Sequence, residues 1–196
     1  MTLEAGLGID LGGTKIAGVI LAGDGRTLAS ARVPTPRGDY GATISAIGDL
    51  AARLEEQAGA ATGLAVGIGI PGSIAPRSGL VQNANSVWLN GRPFGADVAA
   101  ALGRPVRFAN DANCFALSEA VDGAAHGAAS VFGVILGTGC GGGIVLGGRL
   151  VDGPRGIGGE WGHNPLPWAT AGEHPGPRCW CGRLGCMEVW VSGPAV

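Results

Sequence analysis

Two stretches of this chain repeat one pattern, and that pattern limits the fold more than any other feature. Residues 7–21 read Leu-Gly-Ile-Asp-Leu-Gly-Gly-Thr-Lys-Ile-Ala-Gly-Val-Ile-Leu, and residues 131–146 read Val-Phe-Gly-Val-Ile-Leu-Gly-Thr-Gly-Cys-Gly-Gly-Gly-Ile-Val-Leu. Each is a short apolar strand, a Gly/Thr turn and a second apolar strand. They lie about 125 residues apart, a domain-sized spacing. The spacing predicts an internal duplication in which each hairpin opens its own lobe. Such a turn offers successive backbone N–H groups and a Thr hydroxyl with no side chain in the way, a concavity that suits phosphate-type anions. A single copy reads as an ordinary tight hairpin. Two copies, with Asp10 and Lys15 flanking the first, read as a pair of phosphate sites. The G-x-G-x-x-G of Gly137, Gly139 and Gly142 is no dinucleotide fingerprint, because an apolar strand rather than a helix follows it.

Between the hairpins the chain alternates helix and strand. Residues 40–58 place Ile44, Ile47, Ala51 and Leu54 on one helical face, and Gly59 ends that helix. Residues 64–70 read as a buried strand stopped by Pro71-Gly72. A short helix over 94–102, a strand over 106–109 and a helix over 112–121 follow, which together predict an α/β sheet core with helices on its faces. Residues 127–148 carry no charge over a bilayer-spanning length, but nine of them are glycine, each costing a helix about 1 kcal/mol relative to Ala. They are expected to form a hairpin from strands 131–136 and 143–146. With 46% apolar residues in 196, the chain is long enough for one large core or two small ones. A net charge of −2, with no basic cluster and no leader-like start, points away from nucleic acid and membranes and toward the cytoplasm.

Residues 179–188 run Cys-Trp-Cys-Gly-Arg-Leu-Gly-Cys-Met-Glu. Cys179 and Cys181 are too close for an ordinary bridge to each other, and the cysteine count is an odd five. Three clustered thiols with an imidazole in reach fit a closed, structural Cys3His zinc site. On spacing the imidazole could be His163, His174 or His126. Cys114 and Cys140 are expected to be small buried hydrophobes. Glu160 and Glu188 sit at the two ends of the metal clip. Asp111, in Ala-Asn-Asp-Ala-Asn, falls where a strand ends and a helix begins; it reads equally as a cap or as a carboxylate at the ligand-binding edge of an open sheet. Asn83, Asn85 and Asn90 surround Trp88 in a run that suits a hydroxyl-rich ligand as well as a plain loop.

Together, Asp10-Leu-Gly-Gly-Thr-Lys15, Asn110-Asp111, Gly137-Thr-Gly-Cys-Gly-Gly, Glu160-Trp-Gly-His163 and Cys179-x-Cys-Gly-x-x-Gly-Cys186-x-Glu188 resemble the ROK sugar kinases from residue 6 to residue 193. Gly-Glu-Trp-Gly-His-Asn-Pro-Leu-Pro-Trp and Asn-Ala-Asn-Ser-Val-Trp-Leu-Asn-Gly look like the bacterial fructokinase/mannokinase branch. The resemblance implies an actin-like, ribonuclease H-like fold of two duplicated lobes, 1–111 and 112–196, with MgATP and a hexose as substrates. It implies Asp111 as the general base for the attacking sugar hydroxyl. Gly12, Gly13, Thr14 and Lys15 match the first phosphate turn, Gly137, Thr138 and Gly139 the second, and Asp10 a position near Mg2+. Asn85, Asn110, Glu160, His163 and Glu188 match sugar-hydroxyl binders, and His163, Cys179, Cys181 and Cys186 match the zinc ligands. Fructose is the expected sugar, with mannose also plausible and glucokinase or N-acetylhexosamine kinase specificity as the alternative, and a homodimer is the expected state at full length. The chain ends inside the expected second lobe, so a truncated or N-terminal portion is expected, for which sugar binding without turnover is the alternative. ROK repressors carry a DNA-binding domain before the first phosphate turn, whereas nine residues precede Asp10 here; a kinase is expected instead.

Overall fold

The computed structural model describes residues 5–59, 63–137 and 139–196. They form two compact units, Met1–Asp111 and Ala112–Val196. The first hairpin is strand β1 (Gly6–Leu11) against β2 (Lys15–Leu21), and β3 (Thr27–Pro34) extends it antiparallel. Helix α1 (Tyr40–Ala58) then leads to β4 (Ala65–Ile70), which lies parallel to β1. A small hairpin of β5 (Ser73–Ile74) and β6 (Val81–Gln82), helix α2 (Phe94–Leu102) and β7 (Val106–Asn110) complete the unit. The sheet order is β3-β2-β1-β4-β7, with β7 parallel to β4.

The period of each segment explains its place. Alternate residues Leu7, Ile9 and Leu11 of β1 are buried, as are Ile16 and Ile20 of β2, the period-2 signature of a strand with one covered face. Ile47, Leu50, Ala51 and Leu54 supply the buried stripe of α1 in the same core cluster, the 3.6-residue period of an amphipathic helix. Asp39 caps that helix by accepting from the Ala42 N–H at 2.9 Å, and Gly59 closes it at φ 58°, a left-handed conformation that an L side chain resists. The expected helices and strands are present within a residue or two. Neither β3 nor the β5–β6 hairpin was foreseen, since their alternation is interrupted by small and polar residues.

Tyr40, the single tyrosine of the chain, fastens α1 to α2. Its hydroxyl donates to Asp97 Oδ2 at 2.6 Å, its ring meets Phe94 edge-on at 5.9 Å, and the Arg92 guanidinium sits 4.0 Å over its centroid. Burial first, then the Asp97 hydrogen bond and charge, push the phenol up to about 12, with Arg92 opposing. Ultraviolet titration of the folded protein is therefore expected to show one phenolate transition near 12, against ~10 for the unfolded chain. The sign follows from linkage: the stabilisation is complete below the unfolded value and is lost as pH rises through the folded one. A transition at the unfolded value would remove Tyr40 from this contact.

In the second unit, helix α3 (Asp111–Val121) enters from β7, and the repeated hairpin is β8 (Ser130–Leu136) against β9 (Cys140–Leu146), with β10 (Arg149–Leu150) beside β9. The turn is shorter than expected: Cys140, Gly141 and Gly142 are already strand residues, paired with Leu136, Ile135 and Val134, ahead of the expected start at Gly143. Glycine is poor in strands unless something approaches closely, and here something does. A Cβ on Gly133 or Gly143 would stand 2.8 or 2.7 Å from Ala116 of α3, and one on Gly142 would stand 2.7 Å from the Trp161 ring. Cys140 is buried as expected, but Cys114 is exposed, because α3 turns Ala112, Asn113 and Ala116 inward instead. The rest of the unit, 151–196, has little regular structure beyond α4 (Glu188–Val191) and single-turn 3-10 segments. Among the described residues, no helix is long and apolar enough to cross a membrane.

Candidate functional site

In the first unit the candidate residues collect at one edge of the sheet. Parallel pairing sets Asp10 opposite Gly69, and Gly69 opposite Ala109, so Asp10 and the Asn110-Asp111 pair occupy the carboxyl ends of strands two places apart. At one strand spacing of ~4.8 Å each, about 10 Å separates their backbones. The carboxyl edge of parallel strands is where open α/β sheets hold ligands. The turn Gly12–Lys15 projects from the same edge. Its Gly12 N–H donates to the Lys15 carbonyl at 3.0 Å, and its Gly12 carbonyl accepts from Thr35 Oγ1 at 2.8 Å; Thr14 and Lys15 are exposed. Loss of water raises the Asp10 carboxyl above its ordinary range, partly offset by the Lys15 charge.

Asn110 turns its amide to the Gly72 carbonyl at 3.0 Å, and Asn85 is exposed. Asn90, grouped with them on sequence, acts differently. Its amide accepts from the Ala84 N–H and donates to the Ala84 carbonyl, both at 2.9 Å, clamping the loop that displays Asn85. Trp88 donates to Thr43 Oγ1 at 3.3 Å and packs on the apolar core, so the indole is a structural element of that loop.

The second unit gathers a cluster of four side chains that could hold a metal ion. Ligand atoms of His163, Cys179, Cys181 and Cys186 all lie within 4.8 Å of one another. His163 Nδ1 is 3.6 Å from Cys179 Sγ, and Cys181 Sγ is 3.7 Å from Cys186 Sγ. A tetrahedral ion with Zn–S bonds of ~2.3 Å and Zn–N of ~2.05 Å would set S···S edges at about 3.8 Å and S···N at about 3.6 Å. Both measured edges agree with that figure. His163 is the imidazole in the cluster, while His126 and His174 are exposed elsewhere. Burial pushes the Cys179 thiol up to about 12 and raises Cys186. Burial also raises Cys181, but the Arg183 backbone N–H, the neighbouring thiols and the Arg183 charge outweigh it and hold that thiol low.

The two segments that carry the cluster are also joined by backbone contacts. Pro165 bridges to Cys186 and Arg178 to Leu184, the Met187 N–H donates to the Asn164 carbonyl at 2.8 Å, and Trp161 Nε1 anchors the first segment to the Gly141 carbonyl at 2.8 Å. Glu188, 8% exposed, opens α4 two residues after the last cysteine. Its Oε2 accepts from the Cys140 N–H at 3.0 Å and its Oε1 from Trp180 Nε1 at 2.6 Å. A Cβ on Gly139 would stand 2.6 Å from Glu188 Oε2, so glycine leaves room where the carboxylate comes against the second turn. Gly137 accepts from the Gly193 N–H at 2.8 Å. Glu160 precedes the 3-10 turn Trp161–His163 and is half-buried. Thr138 lies outside the described residues. The sequence had not indicated Trp180, whose position between two cysteines is its only signal.

Residues 6–196 match the ROK family. The chain is 44% identical over 190 residues to the N-acetyl-D-glucosamine kinase of Salmonella paratyphi A, covering 95% of this chain and 62% of that protein. Among solved structures it is similar to the ROK hexokinase from Thermus thermophilus, at 39% identity and a TM-score of 0.76 over 97% of this chain and 61% of that one. It is also similar to the ROK family glucokinase of Streptomyces griseus in complex with glucose and AMPPNP, at 34% identity and 0.83 over 97% and 58%. The expected α/β, actin-like fold with an incomplete second lobe fits these structures, of which the chain spans about three fifths.

Proposed function

The chain belongs to the ROK family, and on that premise we propose that the protein transfers the γ-phosphate of MgATP to the 6-hydroxyl of a free hexose. The observation that carries this reading is the strand register that puts Asp10, the Gly12–Lys15 turn and Asp111 on one carboxyl edge. Asp111 takes the proton of the attacking hydroxyl. The open turn amides and Lys15 face phosphate oxygens, with Gly137, Thr138 and Gly139 as the second phosphate turn. Mg2+ prefers few carboxylates plus phosphate oxygens, and Asp10 would hold it. Asn85, Asn110, Glu160, His163 and Glu188 receive the sugar hydroxyls. Zinc is the ion that best fits the Cys3His cluster. With four protein ligands it leaves no open position, so its contribution is to fix His163 and Glu188 in place.

The sequence of 159–168 and of 83–91 favours fructose. A second reading is supported by the relatives, which are named for N-acetyl-D-glucosamine and for glucose. An ADP-release assay over fructose, mannose, glucose and N-acetylglucosamine separates them: fructose should show the highest kcat/KM. A highest value on N-acetylglucosamine or glucose would establish the second reading, and no ADP on any sugar would dispose of both.

A further inference from the structure

We propose that Trp180 is a positioning residue that sets hexose affinity through Glu188. The inference rests on the reading of Glu188 as a sugar binder and adds a residue to it. Glu188 Oε2 is fixed from within the sheet by the Cys140 N–H at 3.0 Å. Its Oε1 faces two groups, Trp180 Nε1 at 2.6 Å and Cys179 Sγ at 3.7 Å. Once Cys179 is a metal-bound thiolate its sulfur has no proton to give. The sulfur is then a like charge beside the carboxylate, and the indole N–H is the donor that holds Oε1 against it. A short bond from a neutral donor to a carboxylate is among the stronger hydrogen bonds available.

The same indole is oriented by the metal site. Its flanking residues are the ligands Cys179 and Cys181, and its ring meets the His163 imidazole edge-on, with centroids 5.0 Å apart at 78°. Trp180 is nevertheless 50% exposed, so it is no ordinary core residue. Position 180 therefore couples the zinc ligands to the carboxylate through one N–H, and fixes the direction in which the second lone pair of Oε1 points at a sugar hydroxyl.

The test is a double-mutant cycle on the full chain with zinc bound, read by calorimetric titration of fructose, glucose and N-acetylglucosamine. Trp180→Phe keeps a ring against His163 and deletes the donor. Hexose affinity is expected to fall about tenfold or more, as for loss of a hydrogen bond to a charged group, while zinc stoichiometry stays unchanged. In a Glu188→Gln background the same change should cost almost nothing further, because the two act as one unit. Unchanged affinity in Trp180→Phe would overturn the proposal, as would equal losses in both backgrounds, which would mean that the indole touches sugar directly. Zinc loss in Trp180→Phe would make it a structural prop and overturn it too. If the unaltered protein binds none of the three sugars, the sugar-site reading itself fails and takes this proposal with it.

Discussion

Chelating the metal from the Cys3His cluster is expected to unfold most of 151–196 and to abolish hexose binding in the same step. That stretch has α4, four residues long, and single-turn 3-10 segments as its helical structure, too little regular structure to order it without the ion. Structural zinc contributes apparent folding energies of ~10–16 kcal/mol, as large as the total stability of an ordinary domain, ~5–15 kcal/mol. The thiols explain the direction with pH. Burial lifts Cys179 to about 12, so at neutral pH the metal must displace its proton, and affinity for the ion rises with pH and falls on acidification. Four of the five tryptophans, at 161, 168, 180 and 190, lie in this stretch, which makes its collapse visible in tryptophan emission. Three further thiols should become reactive on chelation, beyond the exposed Cys114. Unaltered emission together with unaltered hexose affinity after complete metal removal would show that the cluster holds neither the fold nor the sugar-binding residues in place.

What the sequence revealed and what it hid divide along a physical line. Chain-local patterns were legible: the alternation of Leu7, Ile9 and Leu11, the helical stripe through Ile47 and Leu54, and the close cysteines, which the structure gathers with His163. Residues whose role depends on distant backbone were not. Asn90 read equally as a ligand-facing amide or as part of a plain loop, and it is the clamp on Ala84 that decides between them; Trp88 answers to Thr43, 45 residues away. Gly141 and Gly142 read as part of the turn because glycine is a weak strand former; only the arrival of α3 and Trp161 favours strand glycines there. The two hairpins, alike in sequence, also differ in their surroundings. Leu7, Ile9 and Leu11 are at most 4% exposed, whereas their counterparts Phe132, Val134 and Leu136 are 53%, 42% and 58% exposed. A duplicated pattern specifies the same strands and turn twice, but what packs on them comes from other parts of the chain.

Replacing Asp111 by Asn is expected to lower kcat by ~10²–10⁴, the usual contribution of a general base, while leaving hexose affinity and thermal stability almost unchanged. The substitution is informative because the competing role is specific. Asp111 is the first residue of α3 and directly follows β7, a place where a short polar side chain serves the first turn of a helix whether or not any chemistry occurs. Asn caps helices as well as Asp does, so Asp111→Asn preserves that service and removes only the basic oxygen. Asp111→Ala removes both and should cost about 1 kcal/mol of stability besides the turnover. The pair separates the two roles: a base predicts equal loss of kcat in both variants and a lower melting temperature in the Ala variant alone. The Asn variant also tests the register argument, since the carboxylate owes its position to β7 lying parallel to β4 and β4 to β1. Turnover in Asp111→Asn at the unaltered rate would return the residue to helix capping and leave the carboxyl edge of the sheet without its base.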